Sequence, residues 1–341
     1  MRSVTLVLLG ALWFVAYAED VTPRIGAIEI YGAGNISRNK IRAALGVAEG
    51  GLLPASKGSV EEKLEKIPGI VASRLEAACC LNGRMILYVG IEEKGARHLE
   101  FRPDPDGDLT LPRELANTYS DFLDAINESI HSGETGESLS SGFSLMQNPQ
   151  GRKHQREFIP LADKYLDILH RVIRTSRDPE QRAMAAYILQ YGPRGTRTTQ
   201  QIIEDLQYAL QDIEGTVRAN AIRALSAMYV GLKVHPEENV AISPTWFVEL
   251  LNSISWSDRH NAAVALVNMT EDRKPDTLRL IRERALTSLV EMARWRDLGH
   301  ALPGFILIGR ISGMREEEIQ DAWVNSDHEA TIKLAMRKKQ S

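Results

Sequence analysis

The chain has 341 residues, with 41 Lys+Arg against 45 Asp+Glu and a formal net charge of -4. A balance this near neutral offers no basic face for broad phosphate-backbone binding, which depends on counterion release, so no nucleic acid is expected as a partner. The length suits two domains of ordinary size. The two cysteines, Cys79 and Cys80, are adjacent. They could close only a strained eight-membered ring and cannot staple distant segments, so stability must come from burial. They read as small residues at the end of a strand.

At the N-terminus Arg2 is followed by an uncharged apolar stretch from Val4 to Tyr17, then Ala16-Tyr17-Ala18 and the acids Glu19-Asp20. This is the three-part pattern of a secretory signal, with cleavage expected after Ala18. The apolar run falls short of the roughly 20 residues needed to cross a bilayer. No cysteine follows the site to carry a lipid. Residues 1–18 therefore read as a signal peptide, and the mature chain as a periplasmic or secreted protein with no membrane span.

Residues 22–94 read as strand, helix, helix, strand, strand. Ile25 to Tyr31 is a short apolar run ended by Gly32-Ala33-Gly34-Asn35. Ser37 is placed to cap a helix carrying Ile41, Ala44 and Leu45 that stops at Gly46, and Ser59 to Lys66 forms a second. Ile70 to Cys79 and Arg84 to Ile91 are strands around Asn82-Gly83, a dipeptide suited to a tight hairpin. The glycine turn after the first strand is not a dinucleotide loop, because Ser37 stands where a third glycine is needed and no second parallel strand ending in an acid follows.

The phrases Ile28-Glu29-Ile30-Tyr31-Gly32, Ile36-Ser37-Arg38-Asn39-Lys40-Ile41, Pro68-Gly69-Ile70-Val71 and Leu87-Tyr88-Val89-Gly90-Ile91-Glu92-Glu93-Lys94 resemble the POTRA domain. The resemblance covers about a fifth of the chain. It implies a periplasmic or equivalent setting and a module that grips polypeptides or sister subunits, often by adding a strand to a sheet edge. No outer-membrane barrel follows here, which sets this chain apart from the best-known members. Strand Ile70 to Cys79 would be the edge, with Val71, Ser73 and Leu75 as the candidate binding positions.

Residues 95–157 read as a connecting region. Asp104-Pro105-Asp106-Gly107-Asp108 begins like a calcium loop, but glycine is fourth rather than sixth and the twelfth residue is Leu115, so it reads as an acidic turn. Pro112 opens an amphipathic helix with Leu115, Tyr119, Phe122, Ile126 and Ile130 on one stripe. Ser132 to Gly142 reads as a flexible loop. Gly142-Phe143-Ser144-Leu145-Met146 lacks the last glycine and the preceding strand of a nucleophile elbow. Gly151 to Arg156 is a short basic cluster that reads as a solvated helix start.

From 158 to 338 the pattern is helical with punctuated turns. Asp178-Pro179-Glu180-Gln181 is a helix start with proline at the first helical position. Three phrases then share one spacing: Arg182, Ala185, Leu189; Arg218, Ala221, Leu225; Arg259, Ala262, Leu266. Alanine three and leucine seven residues beyond each arginine lie on one helical face, where alanine permits close approach and leucine fills the core. A fourth unit is expected through Leu302 to Ile308 and Glu316 to Val324, and Ser326-Asp327-His328-Glu329 reads as a capping box for a last helix. Helical pairs recurring at this length imply a solenoid.

The spacing, with the phrase Gly215-Thr216-Val217-Arg218-Ala219-Asn220-Ala221-Ile222-Arg223-Ala224-Leu225, resembles HEAT repeats. That resemblance implies protein binding on an extended surface, and arginines that bond acidic or carbonyl partners in neighbouring repeats. The third copy departs from the pattern, with Asp258 directly before Arg259.

The eight histidines show no zinc-binding spacing, and His260 and His300 read as capping or solvent-facing residues. The expected fold is an α+β N-terminal domain (βααββ) followed by an all-α HEAT-like solenoid, mostly α. The expected function is non-catalytic: a protein-protein interaction or scaffold protein of the bacterial cell envelope, needing no cofactor or metal and binding a protein partner. An exported hydrolase or modifying enzyme with a cleft on the solenoid is the alternative.

Overall fold

A computed structural model describes residues 23–140, 142–234, 240–325 and 327–337. The signal sequence read at residues 1–18, and Ser326 of the capping box, lie outside them.

The first elements are β1 (Ile25–Tyr31), α1 (Arg38–Leu45), α2 (Lys57–Glu65), β2 (Ile70–Leu81) and β3 (Arg84–Glu93), in the βααββ order. The sheet runs β1-β3-β2, with β1 parallel and β2 antiparallel to the central β3. Asn82 and Gly83 both take positive φ, 51° and 73°, the pair of left-handed residues a two-residue hairpin turn needs. Two helix starts differ from the sequence reading. Ser37 stands at the α1 N-cap without making a capping bond. Helix α2 begins at Lys57 rather than Ser59 because Ser56 is the cap, its hydroxyl accepting from the Ser59 N–H at 3.2 Å.

Leu87, Val89 and Ile91 of β3 share one core with Ile41 and Leu45 of α1 and Val60 and Leu64 of α2. Tyr88, between them in sequence, points to the opposite face and is fully buried there as well. A strand covered on both faces carries an unbroken apolar run rather than alternation, which is what Met85 to Ile91 shows.

The chain divides into two compact units that do not follow chain order. One spans Glu100–Trp246; the other joins residues 23–99 to 247–337.

In the Glu100–Trp246 unit, α3 (Arg113–Ser132) is followed by a hairpin of β4 (Glu137–Ser140) and β5 (Phe143–Met146). The stretch read as a flexible loop is therefore partly strand. Its anchor is Glu137, buried and ion-paired with Arg223, and also accepting from the Ser144 hydroxyl at 2.8 Å. The Ser, Gly and Glu composition gave no hint of a buried pair formed across 86 positions. Helices α4 (Pro149–Lys164), α5 (Leu166–Thr175), α6 (Pro179–Ile188), α7 (Thr196–Ala209) and α8 (Gly215–Val234) complete the unit. Phe122 of α3 meets Phe158 and Tyr187 at ring distances of 5.6 and 4.9 Å, so Leu115, Phe122 and Ile126 of the α3 stripe are buried against the first helices of the repeat region, while Ile130 at its end is exposed.

Helix α9 (Thr245–Leu250) spans the junction. The second unit then continues with α10 (Trp256–Met269), α11 (Pro275–Ala293), α12 (Leu298–Ile311), α13 (Glu316–Val324) and α14 (His328–Arg337). The repeat phrases fall on α6, α8 and α10, with Leu189 just beyond α6 in a short 3-10 turn. All six of their alanines and leucines are fully buried. Each arginine donates to the carbonyl six residues before it: Arg182 to Ser176, Arg218 to Asp212, Arg259 to Ser253. Arg182 also grips Asp212 through two bonds of 2.7 and 2.9 Å, and Arg259 reaches Glu291 at 2.8 Å, in each case an acid about one repeat further on. The protein is thus mostly helical, a small N-terminal sheet module followed by helical pairs. No described helix is long and apolar enough to cross a membrane.

Candidate interaction surfaces

Three places in the molecule bear on function: the β2 edge, the covered face of the sheet, and one side of α4.

The edge positions Val71, Ser73 and Leu75 lie on β2 at the margin of the sheet, but they do not form a free row. The register slips between Ile70 and Ala72, a bulge that takes the half-exposed Val71 out of line. The N–H groups of Ser73 and Leu75 both face away from β3. Both are already bonded: Ser73 N–H to Glu65 Oε1 at 3.0 Å, Leu75 N–H to Glu61 Oε1 at 2.7 Å. At the far end the register slips again between Ala78 and Leu81, where Cys79 and Cys80 are exposed. They stand near the end of the strand, as read. The expectation that this edge is open to another strand is corrected: two glutamates of α2 fill the Ser73 and Leu75 donors. The sequence signal was Glu61 and Glu65 themselves, one helical turn apart.

The opposite edge is occupied too. On β1 the Ile25 N–H bonds Gly51 O at 2.8 Å, Ile28 N–H bonds Glu49 Oε1 at 3.1 Å, and Gly32 N–H just beyond bonds Glu291 Oε1 at 2.9 Å.

The second face of the sheet is covered by α10, α12 and the segments before them. Tyr88 stacks on Trp256 at 4.9 Å, Trp256 stacks on His260 at 4.9 Å, and His300 meets the Trp256 ring at 4.7 Å. Tyr31 lies under the Arg259 guanidinium at 4.4 Å. Glu76 accepts from Ser255 Oγ at 2.6 Å and from the Ser257 N–H at 2.9 Å. At the rim Arg296 bonds Glu29, Glu49 and the Ile28 carbonyl, and its guanidinium holds the Glu49 carboxyl down to about 2.

His260 is buried rather than solvent-facing. Burial and the adjacent His300 hold its imidazole down to about 3, so it is neutral. The cap at the start of α12 is the Asp297 carboxylate, which takes the His300 N–H at 2.9 Å while the His300 ring turns inward. Trp256 and His260, four apart on one helix, were the legible sign of an aromatic face. Their closed packing makes this cluster a joint between sheet and helices. Among the described residues no group of three His, Cys, Asp or Glu could hold a metal ion.

The third place is a groove of about 540 Å³ along α4, lined by Pro149, Arg152, Lys153, Arg156, Glu157 and Pro160. The Asn148 side chain caps this helix by accepting the Gln150 and Gly151 N–H groups at 3.0 Å, and Pro149 occupies the first turn. Arg152 is fixed through the Met146 and Gln147 carbonyls, at 2.7 and 3.2 Å. Lys153 stands 3.9 Å from Glu157, and Arg156 is exposed. Three cations thus share a groove with one acid, on a chain whose net charge is negative. The short basic cluster read as a solvated helix start forms part of this lining.

No protein-family model matches the chain, and no curated protein does. Among solved structures, the designed armadillo repeat protein YIII(Dq)4CqI is 16% identical, with a TM-score of 0.35 over 55% of this chain and 92% of that one. Computationally designed armadillo repeat proteins for modular peptide recognition give 16% and 0.36 over 55% and 92%. The designed armadillo repeat protein YIII(Dq.V1)4CPAF in complex with peptide (KR)4 gives 15% and 0.36 over 56% and 93%.

Proposed function

We propose that this chain is a protein-binding scaffold of the bacterial cell envelope, exported by residues 1–18 and taking its partner on the helical surface of the Glu100–Trp246 unit. The observation that carries the reading is the α4 groove. Its proline rings and the alkyl stems of its arginines and lysine supply apolar contact, while the cationic heads attract carboxylates. The partner is accordingly a protein segment bearing acidic residues. The βααββ module, at residues 22–94, serves in this reading as a structural base rather than as the gripping element, because its edge donors are bonded internally and both faces are covered.

The test is site-specific photo-crosslinking in the native envelope from position 160, at the exposed end of the groove, with position 40 on α1 as the control. An adduct expected from position 160 alone should vanish in the Lys153→Glu/Arg156→Glu variant. Adducts that persist in that variant, or that form equally from position 40, overturn the assignment. N-terminal sequencing of the mature protein should return Glu19; a chain beginning at Met1 in a cytosolic fraction removes the envelope setting.

A further inference from the structure

We infer that the α4 groove is a self-association site whose occupant is the acidic outer face of α3 in a second copy of this chain. The inference rests on the groove being a binding site, as proposed above, and names what fills it. Helix α3 carries Asp121, Asp124 and Glu128 at spacings of three and four, which sets them on one stripe of the helix. All three are exposed, and none makes an ion pair among the described residues. On α4 the groove residues Pro149, Arg152, Lys153, Arg156 and Pro160 recur at the same kind of spacing. Both stripes face outward, because the inner sides of the two helices rest on one residue of α6: Phe122 and Phe158 meet Tyr187 at 4.9 and 6.0 Å.

The register of the two helices makes the face complementary to itself. They run antiparallel: Glu114 meets Lys164 at 2.7 Å, Phe122 meets Phe158 at 5.6 Å, and the Asn148 side chain donates to Glu134 at 3.1 Å. By that register Asp124 stands level with Arg156, and Glu128 with Arg152. An acidic row and a basic row therefore lie side by side on one outer face. A two-fold axis along the seam between α3 and α4 swings α3 of one copy over α4 of the other and leaves every residue at its own level. Asp124 then meets Arg156, Glu128 meets Arg152 and Lys153, and the same contacts recur across the axis, as an isologous interface requires. Both rows are already open in the folded chain, so docking calls for no rearrangement. The proline rings and alkyl stems of the groove supply apolar contact. Exposed ion pairs are weak one by one, so the association is modest and sensitive to salt.

The experiment is sedimentation velocity of the full-length mature protein over a concentration series, for the parent, Asp124→Lys/Glu128→Lys and Lys153→Glu/Arg156→Glu. Each variant alone sets like charges face to face, and its dimer dissociation constant should rise at least about tenfold over the parent's. An equimolar mixture of the two variants restores opposite charges at both contacts, so a mixed dimer should form with an affinity within about threefold of the parent's. A parent that stays monomeric through the series, an α3 variant that associates like the parent, or a mixture that stays monomeric overturns the inference. Photo-crosslinking from position 160 separates it from the reading beneath it. The expected adduct has the mass of two copies and is lost in both variants. An adduct lost in the α4 variant but kept in the α3 variant means that another acidic protein fills the groove, which overturns the second copy and leaves the groove standing. An adduct kept in both overturns the two together. Should the lysine variant fail to fold by circular dichroism, Asp124→Asn/Glu128→Gln removes the same charges at unchanged shape and is read in the same way.

Discussion

The Tyr88 hydroxyl lies 2.7 Å from His300 Nδ1, a bond between residues 212 apart in sequence. Burial pushes the phenol above its ordinary range, so it keeps its proton. Replacing Tyr88 by Phe keeps the ring on Trp256 but leaves a buried nitrogen without its partner, which should cost about 1–3 kcal/mol in urea unfolding. An unchanged midpoint with unchanged slope would show that this bond contributes nothing to the joint.

Acid should loosen the same joint. An unfolded histidine takes up its proton near pH 6.5, whereas His260 is held down to about 3 and His300 is lowered by burial against the opposing pull of Asp297. Stability from these groups is therefore complete above pH ~6.5 and is lost as pH falls from there towards His260's folded value. Between about pH 7.5 and about pH 5.5 the expected loss from His260 is about 1.4 kcal/mol, and His300 adds to it in the same direction. Glu76, raised by burial, acts in the opposite sense. His260→Phe should flatten the pH dependence of thermal unfolding; a slope equal to that of the parent would refute the assignment.

Gly90 sits where β3 passes the backbone before α10, and a Cβ there would overlap the Ile254 carbonyl. Glycine within a strand marks such close approaches. Gly90→Ala should destabilise by about 1–3 kcal/mol, the usual cost of overpacking. It should also quench less of the Trp256 and Trp295 fluorescence change on folding. Parental stability would mean that the loop before α10 yields freely.

Leu225 is fully buried in α8. Its truncation to alanine should cost about 2–5 kcal/mol, as for other buried leucines. Equal melting of mutant and parent would contradict the burial of that repeat position.

Much of this was legible. The periodicity of Ile41 and Leu45, the Asn82-Gly83 turn and the Asp178-Pro179 helix start are local signals, and local signals placed the sheet module and the helices within a few residues. The phrase Arg-x-x-Ala-x-x-x-Leu marked buried positions because a close helix contact demands a small residue beside a large one. What sequence did not reveal was pairing at a distance. The Glu137–Arg223 pair, the glutamates over Ser73 and Leu75, and the inward turn of His260 and His300 each depend on which element arrives opposite. Acidic residues in particular read as solvated until the donor they face is known.

The union of residues 23–99 with 247–337 has a consequence for how the protein comes into being. During synthesis the sheet emerges before its cover, and the aromatic face of Tyr31 and Tyr88 stays bare until the segment carrying Trp256, Trp295 and His300 has followed, with Tyr88 and His300 212 residues apart. Contacts of such separation form late, and apolar surface exposed in the interval invites association. A polypeptide stopped before residue 247 would keep that face bare, so chaperone attachment to nascent chains should end abruptly once α12 is complete.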